Sequence, residues 1–124
     1  MTNENRTDTD GSECRITEHW SNSTVVVDCA GVFDILTAPE VERRIASVLG
    51  NDPDTLIIDL TRTDFLASHG MNVLIAFHEL CAGKTTFAVV ADGPVTRRPM
   101  DLIGITDLLT VYSTLDEALG TAAV

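Results

Sequence analysis

Asp59-Leu60-Thr61-Arg62-Thr63-Asp64-Phe65-Leu66-Ala67-Ser68-His69-Gly70-Met71 joins an apolar strand to an apolar-periodic helix. It follows Thr55 to Ile58, an apolar run with the near-continuous hydrophobic character of a strand buried on both faces. Beyond it, Met71, Leu74, Ile75 and His78 fall on one stripe, and Val73, Phe77 and Leu80 on a second. That spacing predicts a helix from Ser68 to about Cys81. A helix apolar on two sides is either deeply enclosed or turns one stripe to a partner. Ser68 stands at the junction as the predicted N-cap, its hydroxyl among the unpaired N–H groups of the first turn. Those donors, with the positive end of the helix dipole, make a place where a phosphate is tolerated. Read alone, Ser68 is a plain cap worth about 1 kcal/mol.

On the N-terminal side, Cys14 to Trp20 reads as a short strand and Ser21-Asn22-Ser23 as a turn. In Thr24 to Ala30, Val25, Val27 and Cys29 alternate with Val26, Asp28 and Ala30, a strand pattern. Gly31-Val32-Phe33-Asp34 leaves that strand, and Thr37-Ala38-Pro39-Glu40 has capping-box spacing with Pro near the helix start. Val41, Ile45, Val48 and Leu49 continue the helix until Gly50-Asn51-Asp52-Pro53 ends it.

On the C-terminal side, Gly83 closes the second helix and Thr85 to Val90 is another strand. Gly93-Pro94 starts a short helix through Ile103, in which Pro99 implies a kink or restart. Gly104 fits a helix stop, Leu108 to Tyr112 a last strand, and Thr114 with Glu117 a capping box before a helix ending near Gly120. The order β-β-α-β-α-β-α-β-α shows no internal repeat or domain boundary and argues for one α/β domain. Residues 1–12, polar after Met1, read as a disordered tail; residues 13–120 form the domain and 121–124 a C-terminal tail.

Bulk properties narrow the functions. A chain of 124 residues supports one domain that buries roughly two-thirds of its unfolded surface. The formal charge of -11 repels nucleic acid and anionic membrane at long range and favours a protein partner with a basic or mixed surface. No run approaches the ~18 apolar residues of a membrane span. The N-terminus lacks the basic-then-apolar order of a secretory signal, so the expected location is the cytoplasm.

The three cysteines, Cys14, Cys29 and Cys81, are widely spaced without a CxxC pair, so neither a disulfide framework nor a zinc site is expected. They read as reduced apolar filler. His69 reads as a solvated first-turn residue and His78 as a boundary histidine. Ser68 and His69 do not form a nucleophile–base dyad, because neighbours at a helix start do not face each other. Gly-x-Ser-x-Gly and a phosphate-loop lysine are both missing. The chain is therefore read as a non-enzyme, with no cofactor and no metal.

Three features resemble the STAS domain family, in particular its bacterial anti-sigma factor antagonists. Gly31-Val32-Phe33-Asp34 resembles the family's Gly-x-Leu/Phe-Asp corner. Asp59-Leu60 with Phe65-Leu66-Ala67-Ser68-His69-Gly70-Met71 resembles its strand-loop-helix signature, usually built on Asp-Ser-Ser/Thr-Gly-Leu. Leu102-Ile103-Gly104-Ile105, Leu108 to Tyr112 and Leu115 to Leu119 resemble its closing helix, strand and helix. The likeness spans about Cys14 to Leu119.

The resemblance implies a STAS-like α/β single domain, with a mixed central sheet of four to five strands and about four helices packed mainly on one face. It also implies a switch protein that binds an anti-sigma factor, itself a serine kinase with ATP bound, and so releases a sigma factor. Phosphorylation of Ser68 would end binding, and a phosphatase would restore it. Asp34, Ala67, His69, Gly70, Met71, Val73 and Phe77 are the expected partner-binding residues. Asp34 read alone is a turn residue after Gly31. Ala67 stands where many members carry Asp, and His69 where they carry Ser or Thr. Alternatives are a STAS subunit of a transport ATPase assembly, or an antagonist controlled by redox chemistry at Cys29 or Cys81 rather than by phosphate.

Overall fold

The computed structural model describes residues 13–123. The tail expected over residues 1–12 lies outside the described residues. Among the described residues six strands and four helices follow one another: β1 (Cys14–Ser21), β2 (Thr24–Phe33), α1 (Ala38–Leu49), β3 (Thr55–Asp59), β4 (Thr63–Leu66), α2 (Ser68–Cys81), β5 (Thr86–Val90), α3 (Arg97–Leu102), β6 (Val111–Tyr112) and α4 (Leu115–Ala123), with a 3-10 turn at Ile105–Asp107.

The sheet order is β1-β2-β3-β5-β6. β1 is antiparallel to β2, and β2, β3, β5 and β6 run parallel. The alternation in β2 sorts its side chains: Val25, Val27, Cys29 and Phe33 enter the main core, while Val26 belongs to a smaller cluster on the other face. Val41, Ile45 and Val48 of α1, Leu74 and Phe77 of α2, Met100 and Ile105 complete the main core. Ala118 of α4, flanked by Leu115 and Leu119, covers the second face over Ile57, Ala88 and Val90. Three of the four helices thus share one face. The parallel strands are covered on both sides, which is why they read as unbroken apolar runs.

β4 was not foreseen. β2 is twice as long as β3, and Gly31–Phe33 run past the end of that neighbour. Leu60 to Arg62 make a short detour, and the chain returns as β4 to pair in parallel with this overhang. Register slips between Gly31 and Val32, so Asp64 is the extra residue of a bulge: Thr63 faces Gly31 and Phe65 faces Val32. Thr63 is buried and donates its hydroxyl to the Cys29 carbonyl (2.7 Å), while the Gly31 N–H donates to the Arg62 carbonyl (3.1 Å). Polar Thr, Asp and Arg around the detour hide a strand from any hydropathy reading.

Asp59 and Asp28 hold the detour from its sides. Asp59 Oδ1 accepts from the N–H and hydroxyl of Thr61 (2.9 and 2.8 Å), and Arg62 pairs with Asp28 Oδ2 at 2.6 Å. Asp28 Oδ1 is buried with no partner among the described residues.

Smaller departures have local causes. α3 begins only at Arg97, so Pro99 lies in its first turn, where its missing N–H costs nothing and no kink forms. β6 is shortened because the Leu108 and Leu109 N–H groups donate back to Ile105 in the 3-10 turn (both 2.9 Å). α4 continues past Gly120 to Ala123. At the end of α1 the left-handed residue is Asp52 (φ 53°), not Gly50.

Gly31 is the least replaceable residue of this frame. Its φ is +118°, and an added Cβ would run into the Glu13 carbonyl oxygen. Gly31→Ala is expected to cost about 2–3 kcal/mol, read as a lower urea midpoint with the slope unchanged.

Candidate functional site

The carboxyl ends of β2 and β4 bring two loops together. The Ala67 N–H donates to the Phe33 carbonyl (3.0 Å), tying the start of α2 to the residue before Asp34. Asp34 organises its own loop: its Oδ1 accepts from the N–H groups of Leu36 and Thr37 (3.0 and 3.2 Å). Thr37 donates its hydroxyl to the Val32 carbonyl (2.7 Å) and accepts from the Asp34 N–H (3.0 Å). The capping box expected at Thr37 and Glu40 is therefore not made; Thr37 makes no side-chain cap bond to α1 and its hydroxyl serves the Asp34 turn instead. Asp34 is half-buried, and its Oδ2 takes no partner among the described residues.

Ser68 is exposed, but it is not the cap. Ala67 holds that position with extended backbone (φ −88°, ψ 168°), and Ser68 is the first helical residue. Sequence reasoning placed the boundary one residue late because serine is a favoured cap and alanine a poor one. The consequence is that the Ser68 hydroxyl takes no partner among the described residues and is not committed to the helix. The N–H groups of Ser68, His69 and Gly70 have no intrahelical acceptor. His69 is exposed beside them, Ala67 half-exposed.

Four expected partner residues face inward. Met71, Val73 and Phe77 are 5, 3 and 9% exposed, and Gly70 is buried. Most of both apolar stripes of α2 is enclosed because the helix lies over β5 with α1 at its side; Leu80, at the far end of the second stripe, is 56% exposed. A Cβ on Gly70 would stand 3.0 Å from Phe33 and Leu66 side-chain atoms, so glycine lets the helix start sit directly on Phe33. These residues set the height of Ser68 above the sheet.

Elsewhere, large apolar side chains stand uncovered around the end of α3 (Leu102, Ile103, Leu108) and at the Ser68 pole. Phe65, three residues before Ser68, is 55% exposed; Ile35 and Leu36, beside Asp34, are 65 and 76% exposed. The bulge explains Phe65, because it breaks alternation and leaves Asp64 and Phe65 both outward between buried Thr63 and Leu66. Sequence reasoning missed all three. The available signal was two adjacent large apolar residues, Ile35 and Leu36, inside a turn. His78 is half-buried with its ring 6.3 Å from that of Phe87, a boundary position as expected.

Cys29 is fully buried in β2 with half-buried Cys14 of β1 beside it, whereas Cys81 lines a cavity of about 340 Å³ with Leu49, Pro53 and Lys84 at the opposite pole. Among the described residues no group of three or more His, Cys, Asp and Glu converges as a metal site, and no helix is long and apolar enough to cross a membrane.

A sequence model of the STAS domain matches residues 14–118. The chain is similar to the anti-sigma-F factor antagonist RsfB of Mycobacterium tuberculosis, 39% identical over 98 residues, which cover 79% of this chain and 80% of that one. It is also similar to the crystal structure of an anti-sigma factor antagonist from Mycobacterium paratuberculosis, with a TM-score of 0.85 and 37% identity over 90% of this chain and 95% of that one. The anti-sigma factor antagonist SpoIIAA in its unphosphorylated form shares the fold, with a TM-score of 0.71 and 19% identity over 88 and 96% of the two chains.

Two expectations separate the structural residues from the exposed one. Ser68→Ala changes unfolding free energy by less than about 0.5 kcal/mol, because no cap is lost. Asp34→Ala removes the acceptor of two backbone N–H groups and lowers it by about 1–2 kcal/mol. Urea denaturation of both variants checks the contrast.

Proposed function

This chain belongs to the STAS domain family, and from that premise we propose that it is an anti-sigma factor antagonist switched by phosphorylation of Ser68. In its unmodified form it binds an anti-sigma factor, a serine kinase with ATP bound, and a sigma factor is released for transcription. The kinase transfers phosphate to Ser68, the complex dissociates, and a phosphatase restores the hydroxyl. The chain performs no catalysis of its own and works in the cytoplasm. The antagonist names of relatives 39 and 37% identical over the aligned residues support this reading.

One observation carries the proposal: an uncommitted serine hydroxyl stands exposed in the first turn of α2, beside an apolar surface that the monomer leaves open. Phe65, Ile35 and Leu36 supply the apolar contact, Asp34 and His69 the polar rim, and small Ala67 gives access to the hydroxyl. Gly70, Met71, Val73 and Phe77 act from beneath, fixing where Ser68 sits.

A phosphate there adds about −1.5 to −2 of charge. Beside free N–H groups at the positive end of a helix, that charge is favourable by about 0.3–1 kcal/mol, so the domain stays folded. At a close-packed interface the same group is unpaired and desolvated. A hundredfold loss of affinity needs only about 2.7 kcal/mol. Ala67 replaces the acidic neighbour seen in many members, so the kinase meets less repulsion between that side chain and the incoming phosphate.

Incubation with the anti-sigma kinase and ATP is expected to add one phosphate, located at Ser68 by mass spectrometry. Ser68→Ala keeps binding and resists inactivation; Ser68→Glu folds normally and binds about a hundredfold more weakly, a difference of about 2.7 kcal/mol. Phe65→Ala weakens binding by more than about 1 kcal/mol without changing the urea midpoint. Phosphate on another residue, or recovery of a transporter ATPase as the bound partner, overturns the reading.

A further inference from the structure

The register of β1 on β2 sets Cys14 opposite Gly31 and Cys29 opposite Ile16. Cys14 and Cys29 are therefore diagonal neighbours on one face of an antiparallel pair, and both pack into the main core. They differ in access: Cys14 is half-buried at the start of the edge strand, and Cys29 is fully buried. The neighbouring Cys29 side chain, with Arg15 assisting, holds the Cys14 thiol below its ordinary value, against partial burial and the nearby charges of Asp28 and Asp34. The Cys14 side chain, followed by burial, pushes the Cys29 thiol well above its ordinary value. Cys81, whose thiol is raised by burial, has neither cysteine among the groups that act on it.

We propose that Cys14 and Cys29 are an oxidisable dithiol pair, with Cys14 as the group attacked first and Cys29 as its resolving partner, and that a small peroxide is the oxidant. The Cys14 thiolate attacks one oxygen of hydrogen peroxide; the O–O bond breaks, hydroxide leaves and takes up the proton that Cys14 released. The sulfur is then a sulfenic acid. The Cys29 sulfur attacks it, an S–S bond forms, the S–O bond breaks, and the departing hydroxyl takes the Cys29 proton as water. Two thiols are oxidised and one peroxide is reduced to two waters.

Geometry gives the bond a consequence. Diagonal partners stand about 7–8 Å apart at Cα, and a relaxed disulfide spans about 4.4–6.8 Å. Closure therefore draws the start of β1 along β2. The contact it pulls on is the one between Glu13 and the bulge, where the Val32 N–H donates to the Glu13 carbonyl (3.2 Å). Phe33, which anchors Ala67, follows directly.

The test treats the reduced full-length chain with one equivalent of hydrogen peroxide and reads intact mass, peptide linkage and amide chemical shifts. The wild type and Cys81→Ser are expected to lose two hydrogens, remain monomeric and yield a Cys14–Cys29 peptide that dithiothreitol reverses. Cys14→Ser loses the linkage; Cys29→Ala accumulates a Cys14 sulfenic acid that dimedone captures. Amides of Val32 to Asp34 and Ala67 to His69 shift on oxidation. Linkage through Cys81, linkage between two chains, or oxidation of wild-type Cys14 that stops at sulfenic or sulfinic acid overturns the proposal. Because Cys14→Ser alters a half-buried edge position, it stays informative even if Cys29→Ala is destabilised. The readouts do not involve an anti-sigma factor, so the result stands apart from the phosphorylation reading.

Discussion

The structure depends on the overhang of β2. Its first half pairs with β3 and its last three residues with β4, and the handover occurs at one bulge where Gly31 holds a backbone conformation that side chains resist. Everything at the exposed pole is referred to that point. Phe33 ends the strand, its carbonyl takes the Ala67 N–H, and Gly70 rests against its ring. A serine standing free of hydrogen bonds is therefore not a loosely placed one: it is the first residue of a helix seated on a strand that two neighbours hold.

How much of this was readable in the sequence follows from what each element is made of. α1, α2, β3 and β5 carry strong periodicity or long apolar runs, and their bounds fall within a residue or two of expectation; β2 begins where expected at Thr24 but runs three residues past Ala30, to Phe33. β4 was invisible because Thr63-Asp64-Phe65-Leu66 owes its strand conformation to an overhanging neighbour, a long-range pairing that no local pattern encodes. The same holds for α3, whose late start at Arg97 turns Pro99 from a defect into an ordinary first-turn residue.

At the site, the sequence located Ser68, Ala67 and His69 at a helix start and Asp34 on the adjoining loop. It misjudged which apolar residues face out. Two stripes on α2 were legible, but not how much of each would be covered, since that depends on where α1 and the sheet lie. Exposure of Phe65 is likewise a product of the bulge. The pairing of Cys14 with Cys29 needs the strand register, which residue spacing along the chain does not contain. Positions set by one element were legible; positions set by two were not.

The detour of Leu60 to Arg62 carries a last implication. It is bounded by β3 on one side and β4 on the other, and both of those are pinned to β2 independently. The detour is also tied down along its length: Leu60 is buried, the Arg62 carbonyl takes the Gly31 N–H, and the Arg62 side chain pairs with Asp28. A change of length here would pass through Gly31 to the serine, so homologues should keep this segment at constant length and a grafted tag belongs elsewhere.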